Sequence, residues 1–172
     1  MAQKSKTGAV AITLLTMFSG DALTEIRPKQ VGAFNDWLVY IYDGGQSRVC
    51  YASSTPKASE PKDVKRDQAF FYVTSMPDEK PPVRGEVSTM IGYPLKDGQA
   101  VKLTIDGESF GMFSGGDTAW VNPGNDRKVV AALKAGKSLK VEGISARGTR
   151  TVDTYSLNGI TDALAAMDKA CN

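Results

Sequence analysis

The sequence contains no histidine and only two cysteines. Without His there is no Ser-His-Asp or Cys-His nucleophile and no imidazole metal ligand, and two Cys cannot build a structural zinc site. An excess of charge of one sign is missing too. Its 21 Lys+Arg stand against 19 Asp+Glu, a formal +2 that by itself argues for neither nucleic acid nor an acidic partner. No closely spaced set of acidic residues suggests a calcium loop. What is present is 172 residues, 41% hydrophobic and 23% charged. That composition is ordinary for a globular chain, and the length suits one domain able to bury a core.

The N-terminus has the three parts of an export signal. Lys4 and Lys6 form a basic start, residues 9–18 (AVAITLLTMF) form a ten-residue apolar run, and Gly20-Asp21-Ala22 places small residues around a cleavage site. Ten apolar residues are too few for a permanent transmembrane helix. The expectation is a signal peptide at 1–22 and a single domain at 23–172, periplasmic or secreted. No Cys follows the apolar run at the cut, so a lipid anchor is not expected. Losing Lys4, Lys6 and Asp21 leaves the mature chain at +1. In an oxidising compartment two thiols are read as a disulfide, Cys50–Cys171, with a pair of free thiols as the alternative. Such a bridge closes a long loop, worth about 4–5 kcal/mol in the chain-entropy model.

After a polar, loop-like stretch at 23–34, apolar residues recur with a period of two. Residues 37–42 (WLVYIY) and 48–52 (RVCYA) flank the turn Asp43-Gly44-Gly45 and read as a hairpin. Both alternate sets in 37–42 are apolar, which predicts cover on both faces. Residues 55–66 and 77–84 read as hydrophilic loops, and 69–74 (AFFYVT) and 86–91 as strands. Val101, Leu103 and Ile105 alternate with Lys102 and Thr104, as a half-buried strand requires. Further strands follow at 110–113, 119–121, 139–142 and 149–157, about eight or nine in all, which predicts a mainly β sandwich or small barrel. Two helices interrupt them. Asn125 is a candidate cap for a short internal helix with Val130 and Leu133 inside and Gly136 as its stop. In the C-terminal helix Ile160, Ala163, Leu164, Met167 and Cys171 share one face. Helix packing and a bridge to Cys50 are therefore compatible.

The search for chemistry finds little. Gly111, Gly115 and Gly116 lack the following helix of a phosphate loop. Asp43, Asp97, Asp106 and Asp117 fall on turns, where aspartates mostly hold the turn. No catalytic residue, cofactor or metal site is assigned, and exposed aromatics for stacking nucleic-acid bases are not evident, so no nucleic-acid partner is expected. One asymmetry remains: residues 126–150 carry seven basic side chains against Asp126 and Glu142, a net +5. Lys140, Arg147 and Arg150 are the candidate anion-binding patch, to be weighed against the simpler reading of solvated strand and helix faces.

The run 143–159 (GISARGTRTVDTYSLNG) with 160–171 (ITDALAAMDKAC) resembles the end of the invasion-associated locus B family of alphaproteobacteria. Residues 34–37 (FNDW), 84–87 (RGEV) and 113–120 (FSGGDTAW) fit the same family, so the resemblance spans about 34–171. It implies an exported, single-domain, immunoglobulin-like β-sandwich, a role in host-cell invasion for pathogenic members, and no catalytic residues. Ile41 stands where many members place a Cys, so no additional bridge is expected. The resulting expectation is a non-enzymatic protein acting by surface interaction with an envelope or host-surface component. The alternative is a periplasmic enzyme or small-ligand-binding protein with a carboxylate-lined cleft.

Overall fold

The computed structural model describes residues 27–171. The expected signal at 1–22 lies outside the described residues. In chain order come β1 (Lys29–Phe34), β2 (Trp37–Tyr42), β3 (Val49–Ser54), β4 (Ala58–Glu60), β5 (Phe70–Met76) and β6 (Val83–Met90). They are followed by β7 (Val101–Ile105), β8 (Glu108–Gly115), β9 (Thr118–Val121), α1 (Asp126–Ala135), β10 (Ser138–Ile144), β11 (Arg150–Ser156) and α2 (Ile160–Cys171). The mainly β class, the internal helix and the C-terminal helix are as expected.

All eleven strands pair antiparallel in one series, β1-β2-β3-β5-β6-β9-β8-β7-β10-β11-β4. The hydrogen bonds do not divide it into the two sheets of an immunoglobulin-like sandwich. The series must nevertheless curl. β3 and β4 stand eight places apart in it, about 38 Å if the sheet were flat. The connecting residues 55–57 reach at most about 14 Å. The ends therefore come together across a shared core. Trp37 of β2 donates its indole N–H to the Ser156 carbonyl at 3.1 Å. The Phe71 ring of β5 lies 6.2 Å from Trp37 and 5.7 Å from Tyr155 of β11.

Both helices lie on the inner side. Every residue of the expected α2 stripe is buried: Ile160, Ala163, Leu164, Met167 and Cys171. Cys171 is bridged to Cys50 of β3, with Cα atoms 6.0 Å apart at a sequence separation of 121. α1 buries Val129 and Leu133, whereas Val130 is only half-buried. The Asn125 side chain makes no capping hydrogen bond. Instead the Asp126 carboxylate accepts the Val87 N–H at 2.9 Å, tying the first turn of α1 to β6.

Three loop readings are corrected. Residues 29–34 are not loop but an edge strand on β2, mostly exposed and shifted in register between Gln30 and Gly32. A polar edge strand has no buried alternation to be read. Residues 58–60, within the first expected loop, pair with β11, and the second expected loop ends early because β6 begins at Val83.

Arg66, also assigned to the first loop, reaches inward to the fully buried Asp153. Its guanidinium donates to both carboxylate oxygens, and also to the Ile91 carbonyl at 3.0 Å. Ser59 donates to the same carboxylate at 2.7 Å. The Asp153 hydrogen bond is the main cause that pushes the Arg66 pKa up. The pair joins β4, the β4–β5 connection, the end of β6 and β11.

Removing one partner of such a pair costs about 3–5 kcal/mol, because the other charge is left buried alone. Arg66→Met is therefore expected to lower urea-unfolding stability by about that much, with Arg66→Met/Asp153→Leu recovering a large part of the loss. Cys50→Ser and Cys171→Ser are each expected to cost about 2–5 kcal/mol in the oxidised protein. The double variant should be no worse than either single, and additive losses in thermal unfolding would contradict a shared bridge.

Candidate interaction surface

Side chains opposite each other in a sheet share a face. In the six-strand run from β2 to β8, the inner set is Val39, Ala52, Val73, Val87, Ala119 and Met112, all buried. The outer set lies on the side away from both helices. Register places Leu38, Ser53, Tyr72, Ser88, Trp120 and Phe113 in one row across this face. On one side lies Tyr40–Tyr51–Thr74–Glu86, and on the other Phe70–Met90–Thr118.

The rings make contact. Tyr40 stacks on Tyr51 at 5.2 Å, Tyr51 meets Tyr72 edge-on at 5.9 Å, and Phe70 stacks with Tyr72 at 5.8 Å. Across the gap made by Ser88, Phe113 stacks on Trp120 at 5.7 Å. Phe113 is 47% exposed and the other five rings are half-buried. Ser53 and Ser88 face outward but are only 7% exposed, shaded by their large neighbours. The result is a six-ring platform with small polar gaps.

Its electrostatics are mild. Burial, and then the neighbouring tyrosine, raise the pKa of Tyr51 and push that of Tyr72 up to about 12, so both phenols remain neutral hydrogen-bonding groups. Among the described residues, Glu86 is the one charged residue in register with the rings. Burial first, and the nearby Asp126 carboxylate second, raise its pKa.

The sequence contained these residues but not their assembly. In β2 the two apolar sets predicted two covered faces; Leu38 and Tyr40 instead sit half-exposed on the open face. The signal lay in the second alternation of each strand, and only the register joins it across strands.

Of the residues expected to bind anions, register places Lys140 and Arg150 on one outer face of β10 and β11, and Arg147 lies in the turn that joins these strands. Lys140 is exposed on the outer face of β10, opposite Thr104 and Thr154. Arg150, exposed on β11, is paired with Glu142, which also takes Lys102 at 3.4 Å. These pairs lower the Glu142 pKa, the Arg150 hydrogen bond most. Arg147 lies in the β10–β11 turn beside a pocket of about 230 Å³ shared with Lys65, Tyr93 and Thr151. Of the other basic residues in 126–150, Lys128 pairs with Glu108 at 2.7 Å.

Asp43 and Asp117 hold their own turns, while Asp106 ties the β7–β8 turn to the start of β10. Asp106 accepts the backbone N–H groups of Lys137 and Ser138 at 2.8 and 3.1 Å, which lowers its pKa. Asp43 accepts from Arg48 at 2.7 Å, and Asp117 from the Thr118 hydroxyl at 3.0 Å. Among the described residues, no group of three or more His, Cys, Asp or Glu is placed to hold a metal ion.

Comparison with known proteins agrees with the resemblance read from the sequence. A search of curated proteins returned no match to this chain. A solved structure, the crystal structure of invasion associated protein B from Bartonella henselae, superposes with a TM-score of 0.55 at 20% identity. The superposition covers 81% of this chain and 96% of that one, a likeness of fold. The family model of the Invasion associated locus B (IalB) protein matches residues 37–168, from the first residue of β2 into α2. The chain belongs to the Invasion associated locus B family.

Proposed function

We propose that this chain is an exported, non-enzymatic binding protein of the bacterial envelope, and that its outer aromatic face engages a neutral surface glycan of the envelope or of a host cell. The observation that carries this reading is the six-ring platform on the side of the sheet away from both helices. An exposed aromatic patch of this kind marks an interaction site more often than it serves stability. Ring faces carry negative quadrupole density that attracts the C–H groups of a sugar face, while phenol edges hydrogen-bond its hydroxyls. Family membership and the fold shared with an invasion associated protein support host-cell association as the setting.

Competing readings have less support. A single strand of nucleic acid needs cations tracking its phosphates beside the stacking rings, and the charge in register here is Glu86. An enzyme with a carboxylate-lined cleft needs free, converging carboxylates, whereas Asp43 and Asp117 are engaged within their turns and Asp106 holds the start of β10. A strand-accepting chaperone needs a flat open edge. β1 is an edge strand with a register shift, and β4 has three residues, both devices that blunt an edge.

The test is a glycan array probed with the full chain and its variants. Phe113→Ser and Trp120→Ala are each expected to weaken the best glycan signal at least about tenfold, the scale of an interface hot spot. Thermal midpoints would verify folding, and Lys140→Ala/Arg147→Ala/Arg150→Ala should bind as wild type and resist salt. Loss of binding in that triple variant, with Phe113→Ser unaffected, would move the site to the basic residues. No glycan signal at all would overturn the assigned partner.

Glu86 yields a separate prediction. Its raised pKa means that the folded state binds this proton more tightly than the unfolded state does. Ionised Glu86 thus opposes folding at neutral pH, and the penalty disappears as the pH falls through the raised pKa. Glu86→Gln should raise the thermal midpoint at pH 7, and the gain should shrink towards acid pH.

A further inference from the structure

On the inner side, where α1 and α2 meet the sheet, lies a cleft of about 410 Å³, within the roughly 300–1,000 Å³ range of small-ligand sites. We infer that this cleft binds a small anionic amphiphile, a carboxylate or phosphate monoester carrying a short alkyl chain. The inference is independent of the glycan reading, because cleft and aromatic face lie on opposite sides of β5 and β6.

The walls follow from helical spacing. Arg127, Val130 and Lys134 fall at i, i+3 and i+7 on α1, and Leu164, Met167 and Asp168 at i, i+3 and i+4 on α2, so each helix turns one stripe into the cleft. β5 contributes Val73 and Ser75, and β6 contributes Arg84 and Gly85. Val73, Leu164 and Met167 are buried at the bottom, while Arg84, Arg127, Lys134 and Asp168 are exposed at the rim. Gly85 has φ +68 and no side chain, so that wall stays open towards Val130.

Charge complementarity sets the sign of the ligand. The cleft is lined by three cations, Arg84, Arg127 and Lys134, and by one carboxylate, Asp168. Among the described residues, the ion pairs of this protein involve none of Arg84, Arg127 or Lys134. Three like charges around an apolar recess repel one another until an anion sits among them. The apolar floor adds the second requirement. A fully hydrated inorganic anion gains nothing from Val73, Val130, Leu164 and Met167, whereas an alkyl tail placed there leaves water. The arrangement therefore fits a molecule with a charged end for the rim and an apolar end for the recess. Arginine adds paired N–H donors suited to carboxylate or phosphate oxygens.

The experiment is calorimetric titration of the full chain with hexanoate, octanoate, decanoate, decyl phosphate and decanol, all below their micellar concentrations. Decanoate or decyl phosphate should bind at least about tenfold tighter than decanol, since a hydrogen bond to a charged group is worth that factor or more. The stronger of the two identifies the head group as carboxylate or phosphate. Affinity should rise about fourfold per added methylene until the recess is full. Arg127→Ala/Lys134→Ala should lose at least about tenfold. Because both residues are exposed, the fold should survive, with an unchanged thermal midpoint as the control. The inference is overturned if decanol binds as tightly as decanoate, if chain length has no effect, if Arg127→Ala/Lys134→Ala binds as wild type, or if no probe binds. Phe113→Ser should leave this binding unchanged. Loss there would place the amphiphile on the aromatic face instead and also overturn the inference.

Discussion

The seating of α2 inside the curled sheet is the constraint on which the rest of the molecule depends. Five residues of one helical face, Ile160 through Cys171, enter the core against the first three strands and β5, and the bridge to Cys50 fixes the end of that helix on β3. A disulfide of this span acts mainly by restricting the unfolded chain. Its position matters as much as its energy, because it joins the last turn of the last helix to an early strand. With α2 held there and α1 packed on β6, the inner face is filled by helix and core. The aromatic rings of β2, β3, β5, β8 and β9 are left on the other side.

Asp153 plays a complementary part at the far end of the strand series. β4 is three residues long and would be a weak terminal strand by itself. The Arg66 guanidinium and the Ser59 hydroxyl both converge on the Asp153 carboxylate. They thereby fasten β4 and the segment after it to β11. A buried pair of this kind adds little net stability over a well-packed apolar substitute, but it fixes geometry, since neither charge has another partner of opposite sign inside the core. Chain crossing from β3 to β4 and pairing of Arg66 with Asp153 are two aspects of one closure.

Legibility in the sequence followed burial. The α2 stripe, both cysteines and the inward residues of β7 were readable because burial on one side imposes a period on the residues. β1 was not readable, being a polar edge strand. β4 was not readable, because three residues are too few for any period. Arg66 was placed among exposed loop residues, since nothing local marks a charge that folds inward to a partner 87 residues away. The aromatic face failed for another reason: five strands display one or two rings each and β6 none, and the platform exists only once all six strands are aligned in register. The net charge of residues 126–150 also acquires a spatial meaning only in the fold: register sets Lys140 and Arg150 on one outer face with Glu142, Arg147 lies in the β10–β11 turn, and Lys128 pairs with Glu108.

One strand's thickness separates the two candidate surfaces, and alternation assigns most of their residues, with a register shift beside Arg84 where both Arg84 and Gly85 line the cleft. In β5, Tyr72 and Thr74 face the aromatic side and Val73 the cleft; in β6, Glu86 faces outward while Gly85 lines the cleft. The aromatic side holds polarisable rings with a single carboxylate in register, and the cleft side holds three cations over an apolar floor. These are opposite chemistries, and a ligand suited to one gains little from the other. A chain of nearly balanced total charge has thus sorted its side chains into a neutral platform and a cationic recess. That sorting comes from the period-two alternation of the strands, acting together with the placement of both helices on one side.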